Sequence, residues 1–267
     1  MNRQNHGLHN LGQVYKRVRK ILLLALIIAA NFESIAQSNR FEAGIAAMNR
    51  GRFAVAYRSW RPLAEAGMPE AQLNLGLLYQ SGKGVDVDLE KALHWYEKAA
   101  SAGLAEAHLN LGMMYFEGIG VEQDHTVSFR EFQSASTQGL ASGSLMLGKM
   151  LYEGVGVEQD MFKARELFLD AAKTGLPEAQ FAYAVAAQTG DGFTPPEGLF
   201  FLPKKTDLGD PFVAYVWGTL AFLNGYRTEE STQLIRIAKI MAGNRINEVE
   251  SIISRCLNSE YEECPTK

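Results

Sequence analysis

The chain has 267 residues, with 26 Lys and Arg against 30 Asp and Glu and a formal net charge of −4. That length is enough for a substantial buried core, and the acidic balance gives no evident footprint for nucleic acid or anionic lipid, both of which need a clustered positive surface, though local patches are left open. Only two cysteines are present, which rules out a small disulfide-stapled scaffold.

The N-terminus departs from this ordinary composition. Lys16, Arg17, Arg19 and Lys20 precede an unbroken apolar run over 21–30, followed by Ser34-Ile35-Ala36 and Gln37. A charged segment, a short apolar segment and small residues three and one positions before a cut are the pattern of a secretory signal peptide. The rival reading, a retained membrane anchor, needs roughly 20 apolar residues, and this run is too short. Cleavage after Ala36 is therefore expected, with a periplasmic mature chain and no stable membrane span. Removing 1–36 takes Arg3, Lys16, Arg17, Arg19, Lys20 and Glu33. That leaves 21 basic and 29 acidic residues, net −8.

From 37 to 67 one short helix pair is expected. Phe41 to Arg50 forms the first helix, Gly51-Arg52 a tight turn, and Phe53 to Ala66 the second, with Ala56, Trp60 and Ala64 facing inward. This pair is expected to act as an N-terminal cap.

A fixed step of 36 residues then begins. Gly67, Gly103, Gly139 and Gly175 keep it, as do Gly82, Gly118, Gly154 and Gly190, then Gly84, Gly120, Gly156 and Gly192, and Asp88, Asp124 and Asp160. A period in this range means stacked supersecondary units. In the first unit, Pro69 to Tyr79 suits a helix with proline in its first turn, and Gly82 ends it. The turn is Gly82-Lys83-Gly84-Val85. Asp88 caps a second helix reaching Ser101, whose Ala92, Trp95, Tyr96, Ala99 and Ala100 share one inward face. Ser128 and Ala164 match Ala92, Phe132 and Phe168 match Tyr96, and Ala135 and Ala171 match Ala99, so the volume pattern is kept.

These motifs, Ala71-Gln72-Leu73-Asn74-Leu75-Gly76 through Tyr79, Gly82-x-Gly84-Val85-x-x-Asp88, and Lys91-Ala92-x-x-Trp95-Tyr96-x-Lys98-Ala99-Ala100-x-x-Gly103, resemble the Sel1-like repeat, a relative of the tetratricopeptide repeat. The resemblance weakens in later copies, where Glu131 and Leu167 match Trp95. It implies an all-α fold, a right-handed α-solenoid of antiparallel helix pairs, with repeats at 68–103, 104–139, 140–175 and 176–225.

The 36-residue step fails after Gly192 and returns at a step of 50, which maps Asp160 to Asp210, Ala164 to Ala214, Ala171 to Ala221 and Gly175 to Gly225. The fourth repeat thus holds an inserted loop at 193–209. Phe200, Phe201 and Leu202 form an apolar cluster there, either exposed as a partner contact or folded back over the stack. Glu229 to Met241 and Asn244 to Asn258 read as two amphipathic helices closing the C-terminal end at 226–267. Cys256 and Cys264 are expected to form a disulfide. A metal pair or redox couple is disfavoured by the absent Cys-x-x-Cys spacing and the lack of a nearby histidine.

No catalytic residue, metal site or cofactor is expected. His94, His108 and His125 lack ligand spacing, and the acids Glu117, Glu122, Glu153 and Glu158 follow the repeat as solvated turn edges. By analogy with tetratricopeptide grooves, the first helices should line a concave face. Leu73, Asn74, Leu77 and Gln80 come from the first repeat, Asn110, Met113 and Phe116 from the second, and Met146, Lys149 and Tyr152 from the third. Asn74 and Asn110 either bond a peptide backbone or bond within the stack.

The resemblance implies a scaffold or regulator acting through a protein or peptide partner in the envelope, with the chain a monomer. The alternatives are a peptidoglycan-associated factor or a weak β-lactam-binding or hydrolysing enzyme. The relatives described that way carry a cysteine pair in each repeat, which this chain lacks.

Overall fold

The structure is a computed structural model that describes residues 32–189 and 210–266. The loop cluster Phe200, Phe201 and Leu202, and residues 1–31 of the expected signal peptide, lie outside the described residues.

Two compact units divide at Ala92 and Leu93. In the first, a helix covers 32–49 (α1), followed by α2 (Phe53–Glu65) and α3 (Pro69–Ser81). α1 is longer than the 41–50 helix expected. It continues without a break through Ala36 and Gln37, with Phe32 and Ile35 exposed. α1 and α2 meet at Trp60, which is fully buried and donates its indole N–H to the Phe41 carbonyl at 3.2 Å. Gly44 permits that approach, since a Cβ there would lie 2.1 Å from the indole nitrogen. α2 also packs on α3, and Ala56, Leu63 and Ala64 are buried with Trp60.

α4 (Leu89–Ser101) straddles the division between the units. Ala92, Tyr96 and Ala99 on it are fully buried, as the spacing predicts. Trp95 is not a core residue. It is half-buried, with the Lys98 ammonium 4.8 Å above its ring. This explains why Glu131 and Leu167 replace it freely, because a half-exposed site constrains volume less than a closed one.

The second unit continues with α5 (Ala105–Glu117), α6 (His125–Thr137), α7 (Ala141–Glu153), α8 (Met161–Lys173), α9 (Pro177–Thr189) and α10 (Pro211–Leu223). Each helix packs on the next. α5, α7 and the first unit's α3 end on a glycine in the left-handed region, Gly118, Gly154 and Gly82. Aspartates start the second helices. The Asp124 carboxylate accepts from the Thr126 and Val127 amides, Asp160 from Lys163, and Asp210 from Phe212 and Val213. Each aspartate thereby satisfies backbone donors that the helix cannot.

The second glycine of the turn has a steric task. Gly156 has φ +68°, and a Cβ on it would lie 2.5 Å from His125 at the start of α6. In the first unit Gly84 is constrained the same way, since a Cβ on it would lie 2.5 Å from the backbone of Phe53 and Ala54. The turn of one repeat therefore seats on the second helix of the repeat before it, which is why the period carries two glycines.

Inside the second unit the repeats share one packing solution, with one reversal. Gly112 faces Phe132 and Gly148 faces Phe168, and a Cβ on either glycine would come within 2.5 to 2.7 Å of the ring. In α9 and α10 the roles exchange: alanine (Ala184) stands where Gly148 stood and glycine (Gly218) where Phe168 stood, with Ala184 Cβ 3.9 Å from the position of a Gly218 Cβ. The volume lost is made up by Trp217 next to it, which is fully buried.

The C-terminal end consists of α11 (Glu229–Ala242), a 3₁₀ helix (Gly243–Glu248) and α12 (Val249–Asn258). The helix expected from Asn244 is thus α-helical only from Val249. Thr228 and Ser231 form a reciprocal capping box at the start of α11. α10 is buried on almost every side, through Phe212, Val213, Ala214, Val216, Trp217, Leu220 and Ala221. A helix that is apolar all round needs cover all round, and contacts with α9, α11 and α12 supply part of it. Cys256 and Cys264 are disulfide-bonded and buried.

Candidate functional site

The first-helix face is built by the repeat itself. Within α3, Ala71, Gln72, Leu75 and Leu78 point inward, which leaves Leu73 and Asn74 half-buried and Leu77 at 36 % exposure. Asn110 and Met113 on α5 are likewise half-buried, and on α7 Met146 and Tyr152 are half-buried while Lys149 is exposed. The amides of Asn74 and Asn110 find no hydrogen-bond partner among the described residues. The alternative in which they bond within the stack has no counterpart among those contacts.

Two of the expected face residues have a second role. The Phe116 ring lies 6.4 Å from Phe132 and 5.2 Å from His125, and Tyr152 lies 6.1 Å from Phe168. They roof the core as well as border the face. Beside them, His108 and Glu131 form a close pair, Nδ1 to Oε2 at 2.7 Å. Glu131 occupies the half-exposed site of Trp95, so a charged side chain there costs little.

In the first unit Tyr57 and Tyr79 share a hydrogen bond of 3.0 Å with their rings edge to face. Burial, then that hydrogen bond, pushes the Tyr79 hydroxyl up to about 12. Lys91 pairs with the capping Asp88, which lies below the usual carboxylate range because Lys91 donates to it from side chain and backbone. These groups brace the repeat rather than converge on a reacting atom. Among the described residues no group of three or more His, Cys, Asp or Glu side chains is placed to hold a metal ion.

A second polar cluster escaped the sequence reading. After α12 the chain reverses through Glu260 and Tyr261, with φ of 51° and 73°, the only non-glycine residues at positive φ among those described. Such residues cost of order 1 kcal/mol each unless their surroundings hold them. Here the disulfide and the Tyr261 ring do so. That ring lies 6.3 Å from Trp217, nearly parallel to it, and 3.1 Å from where a Gly175 Cβ would be. The Tyr261 hydroxyl accepts from Asn224 Nδ2 at 2.8 Å, and the same nitrogen donates to Gln180 Oε1. The tail beyond runs back over α8, α9 and α10. Trp217 Nε1 donates to the Pro265 carbonyl at 2.7 Å, and the Tyr183 hydroxyl to the Thr266 carbonyl at 3.0 Å. Arg165 Nη2 reaches the same Thr266 carbonyl at 3.4 Å. The signal was available as departures from the repeat: Tyr183 stands where Leu75, Leu111 and Leu147 stand, and Arg165 where Phe129 does.

Helix pairs joined by a two-glycine turn, with the Gly84 and Gly156 turns seated on the preceding pair, define a helical-repeat protein of the all-α solenoid class. The chain carries four Sel1 repeats: the Sel1 repeat model matches residues 69–104, 105–140, 141–176 and 177–197. The last match ends at residue 197, within the 193–209 segment that lies outside the described residues. Among solved structures, the chain is similar to the Sel1 repeat protein from Oxalobacter formigenes, at a TM-score of 0.64 and 22 % identity over 84 % of this chain and 88 % of that one, which bears on the fold alone. The c5321 protective antigen of uropathogenic Escherichia coli, with an SLR fold, aligns at 21 % identity over 85 % of this chain and 65 % of that chain, with a TM-score of 0.39 that is too low to bear on the fold. In sequence, 37 residues are 57 % identical to chitin synthase regulator SKT5 of Saccharomyces cerevisiae, a span of 14 % of this chain and 5 % of that protein. Sel1 repeats are protein-interaction modules, and among the described residues no helix is long and apolar enough to cross a membrane.

Proposed function

We propose that the chain is an exported scaffold or regulator, working in the periplasm, that binds a protein or peptide partner through the first-helix faces of its repeats. The observation that carries this reading is the pair of unbonded amides, Asn74 and Asn110, each set among half-exposed apolar side chains. An amide offers both a donor and an acceptor to a peptide backbone, while Leu73 and Leu77 in one unit, and Met113 and Phe116 in the other, offer apolar contact to side chains. Lys149 and Tyr152 add a cation and a hydroxyl on α7. The match to a chitin synthase regulator extends over one repeat, so it supports an interaction module and says nothing of a cell-wall enzyme as partner. Export rests on the basic and apolar segments ahead of Gln37.

A photoreactive amino acid at Met113 in intact cells tests the binding face. A discrete crosslinked partner is expected, lost when Asn110→Ala is combined with Met113→Glu in a chain that keeps its helical melting curve. Crosslinks that survive the double substitution would move the binding site elsewhere. Mass spectrometry of the mature protein should find Gln37 at its N-terminus, and an intact 1–36 segment would replace export by anchoring.

A further inference from the structure

The C-terminal tail is held in a way that a plain helix cap does not need. Three donors from three successive helices, Arg165 on α8, Tyr183 on α9 and Trp217 on α10, converge on two adjacent backbone carbonyls, those of Pro265 and Thr266. Backbone carbonyls belong to any peptide, so the seat reads main chain and not the tail's side chains. Tyr183 replaces a leucine that is buried in each of the other repeats at Leu75, Leu111 and Leu147. A tyrosine there brings a hydroxyl that must find an acceptor once buried. The seat is therefore specific to the last repeats, where the tail lies.

The tail enters it under constraint. Glu260 and Tyr261 are both left-handed without being glycine, and the eight-residue separation of Cys256 and Cys264 closes the loop that contains them. Glu262 and Glu263 beyond the turn are exposed, so the tail lies at the surface.

We propose that Arg165, Tyr183 and Trp217 form a binding seat for a peptide backbone, that Pro265 and Thr266 of the tail occupy it in cis, and that the Cys256–Cys264 disulfide keeps them there. A dithiol reductant opens the latch. One thiolate attacks a sulfur of the bond, the second resolves the mixed disulfide, and two electrons and two protons pass to the cysteines while the dithiol becomes a disulfide. With the bond open, the two left-handed residues relax and the tail leaves, presenting the three donors to a peptide in trans. This seat is separate from the first-helix face and stands or falls without it.

Hydrogen exchange of the full chain, with and without dithiothreitol, is the first measurement. The amides of Tyr261 to Cys264 should lose at least tenfold in protection on reduction, while α8, α9 and α10 keep theirs. Persistent tail protection, or loss of protection throughout the three helices, would make the disulfide a structural staple and overturn the latch. The second measurement uses the full-length Cys256→Ser, Tyr261→Ala chain, in which the tethered tail competes poorly. A fluorescein-labelled synthetic peptide of residues 258–267, with serine for Cys264, should bind it saturably and the oxidised parent not at all. Tyr183→Phe on that background should weaken binding about fivefold, the worth of one hydrogen bond. Absence of binding, or binding indifferent to Tyr183→Phe, removes the seat. Asn110→Ala should leave it unchanged, so a failed first-helix face and a failed seat are told apart.

Discussion

The middle repeats, α5 to α8, and the last pair, α9 and α10, solve one packing problem in opposite ways. In the middle repeats a glycine on the first helix admits an aromatic ring from the second, Gly112 with Phe132 and Gly148 with Phe168. In the last pair the glycine is on the second helix, at Gly218, and the large ring has moved one position to Trp217. The shift re-aims an indole N–H at the tail and stacks its ring on Tyr261. The middle pattern suits a unit with a similar neighbour on each side. The last pattern suits a unit whose outer neighbour is a tail, because a tail offers carbonyls that need donors.

The largest test of this contrast is Trp217→Ala. Removing a fully buried indole that both fills the vacated ring space and anchors the tail should cost about 4 kcal/mol in denaturant unfolding, and a loss under about 1 kcal/mol would mean that the volume exchange is not what holds α10. Cys256→Ser comes next. Freeing so short a loop should lower stability by about 2.5 kcal/mol, with no comparable effect expected of reductant on a chain already carrying the substitution.

The glycines discriminate most sharply, because the same change should act with opposite signs in the two regions. Gly148→Ala forces a methyl within 2.7 Å of Phe168 and should destabilise by about 2 kcal/mol. Gly218→Ala meets Ile235 Cγ1 and Leu234 Cδ2 at 3.4 Å and Ala184 Cβ at 3.9 Å, ordinary contact distances, and should stabilise by about 0.5 to 1 kcal/mol through helix propensity. Equal signs would refute the reversal. Asp210→Ala should cost about 1 kcal/mol, like any lost cap, and more only if the Arg245 contact at 3.6 Å contributes.

The smallest expected effect concerns the first unit. The Tyr79 hydroxyl has its folded pKa raised to about 12 against an ordinary value near 10, so its contribution to stability is complete below pH 10 and is lost as pH rises toward 12. Tyr79→Phe should flatten the fall in stability over that window. A slope unchanged by the substitution would assign the alkaline loss to Tyr96 and Tyr183, both also raised by burial.

Much of the repeat was legible in advance because its determinants are local. A glycine in the left-handed region, an aspartate cap and an alanine or aromatic at a three- or four-residue step each declare their role within one or two turns of helix. The Asp124, Asp160 and Asp210 caps, the buried Ala–Phe–Ala faces and the Cys256–Cys264 bond all follow from such spacing. Trp95 was misread because the helical step places a residue on a face without saying how far that face is covered. The start of α1 and the 3₁₀ segment at 243–248 escaped because helix ends are decided by weak and competing signals.

The sequence by itself thus determined the repeat, its period, its caps and the position at which the period is interrupted, since these depend on backbone sterics and short-range hydrogen bonds. Only the tertiary structure decided that Arg165, Tyr183 and Trp217 meet over the carbonyls of Pro265 and Thr266. Those residues lie between 48 and 101 positions from the carbonyls they bond. Contacts of that separation exist only after the helices have stacked and the tail has been turned back on them, and no local pattern encodes them beyond a tyrosine standing in place of leucine and an arginine in place of Phe129.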